Sequence, residues 1–278
     1  MKKSLTKDKL LAEGKNLFDV GKYKDAIKFY TQALAIAPKF SEAYNQRGIA
    51  YSYLNDYEQA IYNFSRAIKF APDDPDLYNN RGLCFTSTEN FSLAIIDFTR
   101  AINLKPQREE YYVNRGLAHS ALEDYERAMK DFDKAIELKP NYAMPHYHRG
   151  ELFMTLKNYP AALEDLNAAI GTNKFFFEAR QLRGIVLYLL RKFRRALEDF
   201  DDILKININD DTSYLYRGLT HYHLENFRQA TKDLSKAARS NPKLIELYKY
   251  RGMAYELVGD EARAKLDAKK VDALIKES

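Results

Sequence analysis

The chain has 278 residues, and its 44 basic and 39 acidic side chains leave a net charge of only +5 with the two signs interleaved. That pattern disfavours nucleic acid, which calls for a stripe of Lys and Arg. A single cysteine, Cys84, excludes an intramolecular disulfide framework and any multi-cysteine metal site. With 46% hydrophobic residues, 11 glycines and 8 prolines, the composition supports a helical core with short loops.

The first residues, Met1-Lys2-Lys3-Ser4, are positive, but Lys7, Asp8, Lys9, Glu13 and Lys15 interrupt any apolar run that could serve as a signal peptide. No stretch approaches the roughly 18 apolar residues that a membrane span needs. The expectation is a cytoplasmic chain with no membrane insertion.

From Lys7 onward the chain divides into eight in-register units of 34 residues: 7–40, 41–74, 75–108, 109–142, 143–176, 177–210, 211–244 and 245–278, behind a short tail at 1–6. Position 8 of every unit is glycine, from Gly14 and Gly48 through Gly252; position 20 is always alanine, from Ala26 through Ala264. Position 24 is large and apolar in seven units, as at Phe64, Phe98 and Phe200, and proline closes the unit at Pro38, Pro72, Pro106, Pro140 and Pro242. Apolar positions 4, 8, 11 and then 20, 24, 27 follow helical spacing, and turn residues such as Gly21-Lys22 and Asn55-Asp56 fall around position 15. Each unit therefore reads as two antiparallel helices held close by small residues. One such hairpin cannot bury its own apolar face, so successive hairpins must stack as a solenoid.

These residues make the chain similar to the tetratricopeptide-repeat family over 272 of its 278 residues. The resemblance implies an all-α, right-handed superhelical α-solenoid, expected here as a single body over 7–278, with the first helix of each unit lining a concave face. The end units depart most. Unit one carries Leu10 and Glu13 where later units have tyrosine and arginine, and the last helix, Glu261 to Ser278, places Lys265, Ala268 and Lys276 at usually apolar or proline positions. Its outer face is expected to be polar and to close the stack.

Position 7 is arginine in units two to eight, Arg47 through Arg251, and position 23 is aspartate in units three to eight, Asp97 through Asp267. Unit two sets Arg47 against Asn63, and unit one lacks both partners. The two residue types come and go nearly together, which marks a structural ion-pair ladder rather than seven phosphate-binding arginines. Pairing within a unit or between neighbours fits the sequence almost equally well.

No catalytic constellation is present, and no cofactor or metal is expected. Gly14 to Lys22 has the wrong spacing for a phosphate loop, with Tyr23 where Ser or Thr would bind magnesium. In His146-Tyr147-His148 and His221-Tyr222-His223 a two-residue step sends the imidazoles to opposite sides of a helix. The chain is read as a non-enzymatic scaffold.

Family geometry implies that positions 2, 5, 9, 12 and 13 line the groove, with position 6 at its edge. The early groove is then polar, with Asn45, Asn79, Asn80 and Asn114 beside Leu83 and Leu117. The later groove is aromatic and apolar, with Tyr147, Met154, Tyr188 and Tyr222 as anchors among Gln181, Ile185 and Leu215. The expected partner is a protein or peptide segment, not a small-molecule substrate. The alternative is a structural subunit of a larger assembly or a homo-oligomer. A co-chaperone clamp for heat-shock-protein tails is disfavoured, because no unit joins Lys at position 5 to Asn at 9. An RNA-binding solenoid is disfavoured because the arginines are committed to aspartates. Phe175-Phe176-Phe177 replaces the usual proline junction, where one or two rings are expected to plug the seam and an exposed one to mark a contact surface. Arg191-Lys192-Phe193-Arg194-Arg195 reads as a solvated turn.

Overall fold

Every 34-residue repeat folds into a helical hairpin, and the computed structural model describes residues 6–277. Its contacts divide the chain into two units, one ending at Asn141 and one beginning at Tyr142. In the first unit the hairpins are α1 (Lys7–Asp19) with α2 (Tyr23–Ile36), α3 (Ser41–Tyr53) with α4 (Tyr57–Phe70), α5 (Pro75–Ser87) with α6 (Phe91–Leu104), and α7 (Glu109–Ala121) with α8 (Tyr125–Leu138). In the second they are α9 (Ala143–Thr155) with α10 (Tyr159–Thr172), α11 (Phe177–Leu189) with α12 (Phe193–Ile206), α13 (Asp211–His223) with α14 (Phe227–Ser240), and α15 (Ile245–Leu257) with α16 (Glu261–Glu277). Within each unit consecutive hairpins stack and consecutive first helices touch, as α1 does α3 and α11 does α13. The architecture is an all-α solenoid of tandem hairpins. The tail expected at 1–6 lies outside the described residues except for Thr6, whose side chain caps α1 by accepting from the Lys9 amide at 3.3 Å.

The turn inside each hairpin is built by backbone rather than by side chains. Position 15 has a left-handed φ in all eight repeats: Gly21 and Gly259, but also Asn55, Glu89, Glu123, Lys157, Arg191 and Glu225. The next residue's N–H then reaches back five residues to a carbonyl at the end of the first helix, as Lys22 does to Leu17 and Asp124 to His119 at 2.9 Å each. That closure satisfies carbonyls that the helix end leaves open. Asp56, Asp124 and Asn158 follow directly and cap the second helix through their side chains.

Small residues set the spacing of the two helices. The position-20 alanines are buried in every repeat, as are the position-24 side chains of Tyr30, Phe64, Phe98, Phe132, Leu166, Phe200 and Leu234. Each of those rings or branches lies on a position-8 glycine: a Cβ on Gly82 would stand 2.7 Å from Phe98 Cε1, and one on Gly184 2.7 Å from Phe200 Cε1. Burying one such phenylalanine contributes about 1.5–3 kcal/mol.

The arginine ladder resolves in both directions at once. Within repeats three to eight the guanidinium binds the aspartate through Nε and Nη2, as in Arg81 to Asp97 at 2.8 and 2.8 Å and Arg251 to Asp267 at 2.8 and 2.6 Å. The remaining Nη1 crosses to position 25 of the preceding repeat, where it donates to Ser65 from Arg81, to Thr99 from Arg115, and to Asn167 from Arg183. The Asp97 hydrogen bond holds the Arg81 guanidinium above its ordinary pKa, and Asp267 does the same for Arg251. The pair is therefore both a hairpin lock and a staple between neighbours.

One expectation is corrected at the last helix. Lys265 and Ala268 are exposed as expected, but so is Leu266, at 64%. Only the face carrying Ala264, Asp267 and Leu274 is turned inward, so apolar residues elsewhere on α16 meet solvent. Ser278 lies outside the described residues. The described residues contain no helix long and apolar enough to cross a membrane.

Candidate partner-binding groove

The groove residues of the first unit stand on the middle turns of α3, α5 and α7. Asn80 Nδ2 donates to Asn45 Oδ1 at 3.2 Å, and Asn114 Nδ2 donates to Asn79 Oδ1 at 2.8 Å. Position 6 of one repeat thus reaches position 5 of the repeat before, and the four half-buried amides form two rungs of a ladder. Each rung still has a donor and an acceptor to spare, the pairing that a peptide backbone offers. Leu83 is 42% exposed, while Leu117 is half-buried. Beside Asn80 and Leu83 opens a cleft of about 570 Å³, with Ile49, Ser52, Tyr53 and the buried Cys84 around it. Burial pushes the Cys84 thiol up to about 11, so it is an inert wall rather than a nucleophile.

In the second unit, Tyr147, Met154, Ile185 and Tyr188 all border one core cluster, and Tyr188 and Leu215 border the next. Tyr147 packs on Phe176 at 4.8 Å, so this phenylalanine fills the seam, whereas Phe175 is 77% exposed. Gln181 is already engaged: its Nε2 donates to Asp210, the N-cap residue of α13, at 2.7 Å. Tyr222 joins Tyr188 through residues absent from the expected set. His223 stacks on Phe193 at 5.0 Å and 6°, and it lies 5.6–5.7 Å from Tyr188, Tyr222 and Tyr250. Tyr222 also meets Tyr250 at 5.0 Å. His223 occupies position 13, which belongs to the implied lining, and Phe193 comes from the basic turn. Tyr147, Tyr188 and Tyr222 all have phenols raised above their ordinary pKa, first by burial, so they are neutral donors at any physiological pH.

Burial also pulls the imidazoles of His119, His221 and His223 below the ordinary 6.5, with Arg191 adding to the effect at His223. The unfolded chain then binds protons below pH 6.5 that the folded chain refuses, so this stability is present above 6.5 and is lost as pH falls through the folded values. The melting temperature is expected to decline between pH 7 and 5, and His223→Phe, which keeps the stack on Phe193, to flatten the decline. An equal slope in both proteins would remove His223 from the effect. Among the described residues no group of three or more His, Cys, Asp or Glu is placed to hold a metal ion.

Tetratricopeptide-repeat models match at residues 41–74, 109–142 and 75–108, and a further repeat model of the same type matches 14–54. These matches run without a break from residue 14 to residue 142, across the hairpins of repeats one to four. Over residues 14–142 the chain belongs to the tetratricopeptide-repeat family. Proteins of this family generally mediate protein–protein interactions. A comparison with curated proteins gives no match. Among solved structures, a tetratricopeptide-repeat protein from Parabacteroides merdae is 18% identical, with a TM-score of 0.66 over 89% of this chain and 98% of that one. YrrB, described as having an unusual peptide-binding site, is 21% identical, with a TM-score of 0.58 over 64% and 91%. The hetero-tetramer Cut9–Hcn1 of the APC/C gives 15% identity and 0.61, this chain spanning 54% of that one. At these identities the likeness is one of fold.

Proposed function

We propose that this tetratricopeptide-repeat chain is a non-enzymatic scaffold that binds a peptide or partner segment along its first helices. The observation that carries the reading is the aromatic group of the second unit, where Tyr188, Tyr222, His223 and Tyr250 lie side by side without being fully buried. Aromatic side chains of this kind supply large contact area at low entropic cost, which is why they dominate binding hot spots. The asparagine rungs of the first unit offer a second, polar station for a backbone.

Peptides selected from a random library on the wild-type chain are the test. Tyr188→Ala combined with Tyr222→Ala is expected to weaken them by at least tenfold. Tyr222→Ala alone, at a residue outside the core clusters, is expected to show a smaller loss with an unchanged melting temperature. Unchanged affinity in a folded double variant would remove the reading. The exposed Phe175 favours a second reading, a subunit of a homo-oligomer or larger assembly. Light scattering of the purified chain separates the two.

A further inference from the structure

Repeat two breaks the ladder: the break leaves Arg47 without a counter-ion among the described residues, and Arg66 near it has none there either. Asn63 takes the aspartate's place, accepting from Arg47 Nε at 2.8 Å while its own Nδ2 turns away to donate to the Gln59 carbonyl at 2.7 Å. Arg47 Nη1 reaches Thr31 at 3.0 Å, and Nη2, which meets a carboxylate in repeats three to eight, has no acceptor among the described residues. Arg66 shares the Tyr44 ring with Arg47. Its guanidinium is 5.3 Å from the Phe70 ring centre and 5.5 Å from that of Tyr44, and its buried Nε has no hydrogen-bond partner. Arg47 is 5.5 Å from the same Tyr44 ring, so the two cations stand within twice that distance of each other.

Repeat three shows what is missing. There Arg81 and Arg100 flank Tyr78 in the same layout, but Asp97 neutralises Arg81. Among the described residues neither guanidinium of repeat two is in an ion pair, and no Asp or Glu among them contributes to the ionisation of either one. Burial lowers the pKa of Arg47, opposite in direction to Arg81 and Arg251, while Arg66 is raised by Tyr44 and then Tyr62. Arg47 and Arg66 are only half-buried, and Thr31 and Tyr62 beside them are exposed. The place is open to solvent, doubly positive, and has aromatic rings beneath it.

We infer that Arg47 and Arg66 form a binding site for a phosphate monoester carried by a partner, with the Thr31 hydroxyl, which donates to the Ile27 carbonyl at 2.7 Å, holding Arg47 in place. A dianionic phosphate supplies the one charge that an aspartate would give Arg47 and a second for Arg66, and its oxygens suit guanidinium forks better than a single carboxylate does. The site uses positions 7 and 26, not the groove positions, and does not rest on the groove reading.

The test is an NMR titration of the full chain, following the arginine Nε–H signals with O-phosphoserine, inorganic phosphate and acetate at constant ionic strength. Arg47 and Arg66 are expected to shift saturably with phosphoserine, while Arg81 and Arg115 stay still. Asn63→Asp restores the aspartate found in six other repeats and so keeps the fold. It supplies the counter-ion internally and is expected to weaken phosphoserine at least tenfold; Arg66→Gln is expected to weaken it as well. Saturation by inorganic phosphate but not by phosphoserine would overturn the monoester in favour of a free anion. Absence of a saturable shift, an equal response to acetate, or full affinity in Asn63→Asp would overturn the site.

Discussion

Asp131→Ala is expected to lower unfolding stability by roughly 3 kcal/mol, the lower end of the range for breaking a buried pair. Asp131 accepts from Arg115 Nε at 2.9 Å and from Nη2 at 2.7 Å, and the two side chains are 6% and 21% exposed. Without the carboxylate the guanidinium keeps the Thr99 hydroxyl on Nη1 and the Tyr112 ring 5.8 Å away, and has lost its counter-ion. Because Arg115 retains some access to water, the loss falls short of that for a fully buried charge. The loss measures the orphaned charge more than the worth of the pair.

A double-mutant cycle separates those two quantities. Arg115→Leu with Asp131→Leu should recover much of what either single change loses, since replacing both members removes desolvation cost and attraction together. Urea unfolding of the four proteins gives the coupling. Additive losses would show that the two residues do not act as a pair, whatever their distance. Repeat two already displays the single-partner state, with Arg47 facing the neutral Asn63 and its pKa depressed by burial.

The fold was legible because its determinants are identities at fixed positions. Glycine at 8, alanine at 20 and an aromatic or leucine at 24 each do one steric job, so the job can be read from the residue. The turn was half legible. Gly21 and Gly259 announce a left-handed position, but Glu123 or Lys157 in the same conformation does not, because the bonds that close the turn are made by backbone. The ladder showed its aspartates by co-occurrence. Its second partner was hidden because Thr31, Ser65, Thr99 and Asn167 share only an acceptor oxygen.

The candidate site was less legible still. Spacing tells which helix face a residue shares, but not what stands opposite it 35 residues later. Asn79 and Asn80 were expected to be free for a partner, yet each is bonded to an asparagine of the adjacent repeat. Phe193 looked like part of a basic solvated turn, but its ring stacks on His223. Both surprises arise from contacts between repeats, where no rule of sequence spacing within one hairpin applies.

Phe98→Ala is expected to cost about 3–5 kcal/mol, the range for deleting a fully buried ring and leaving a cavity. Gly82→Ala alone should cost about 1–3 kcal/mol by overpacking, since its Cβ would lie 2.7 Å from Phe98 Cε1, and the roughly 1 kcal/mol of helix propensity gained only partly offsets this. In the Phe98→Ala background the sign of the second change should reverse. With the ring gone, the alanine methyl enters the vacated space and the propensity gain remains, so the double variant should be more stable than Phe98→Ala alone. Repeat eight contains that combination in part: Ala268 stands at position 24, and a Cβ on Gly252 would meet nothing closer than Asp267 Cβ at 3.3 Å. Thermal unfolding of the three variants decides the matter. If Gly82→Ala destabilises the Phe98→Ala protein as much as it does wild type, the glycine is required by helix approach itself and not by the ring. The repeated spacing of the hairpin would then be a backbone contact rather than a knob in a hole.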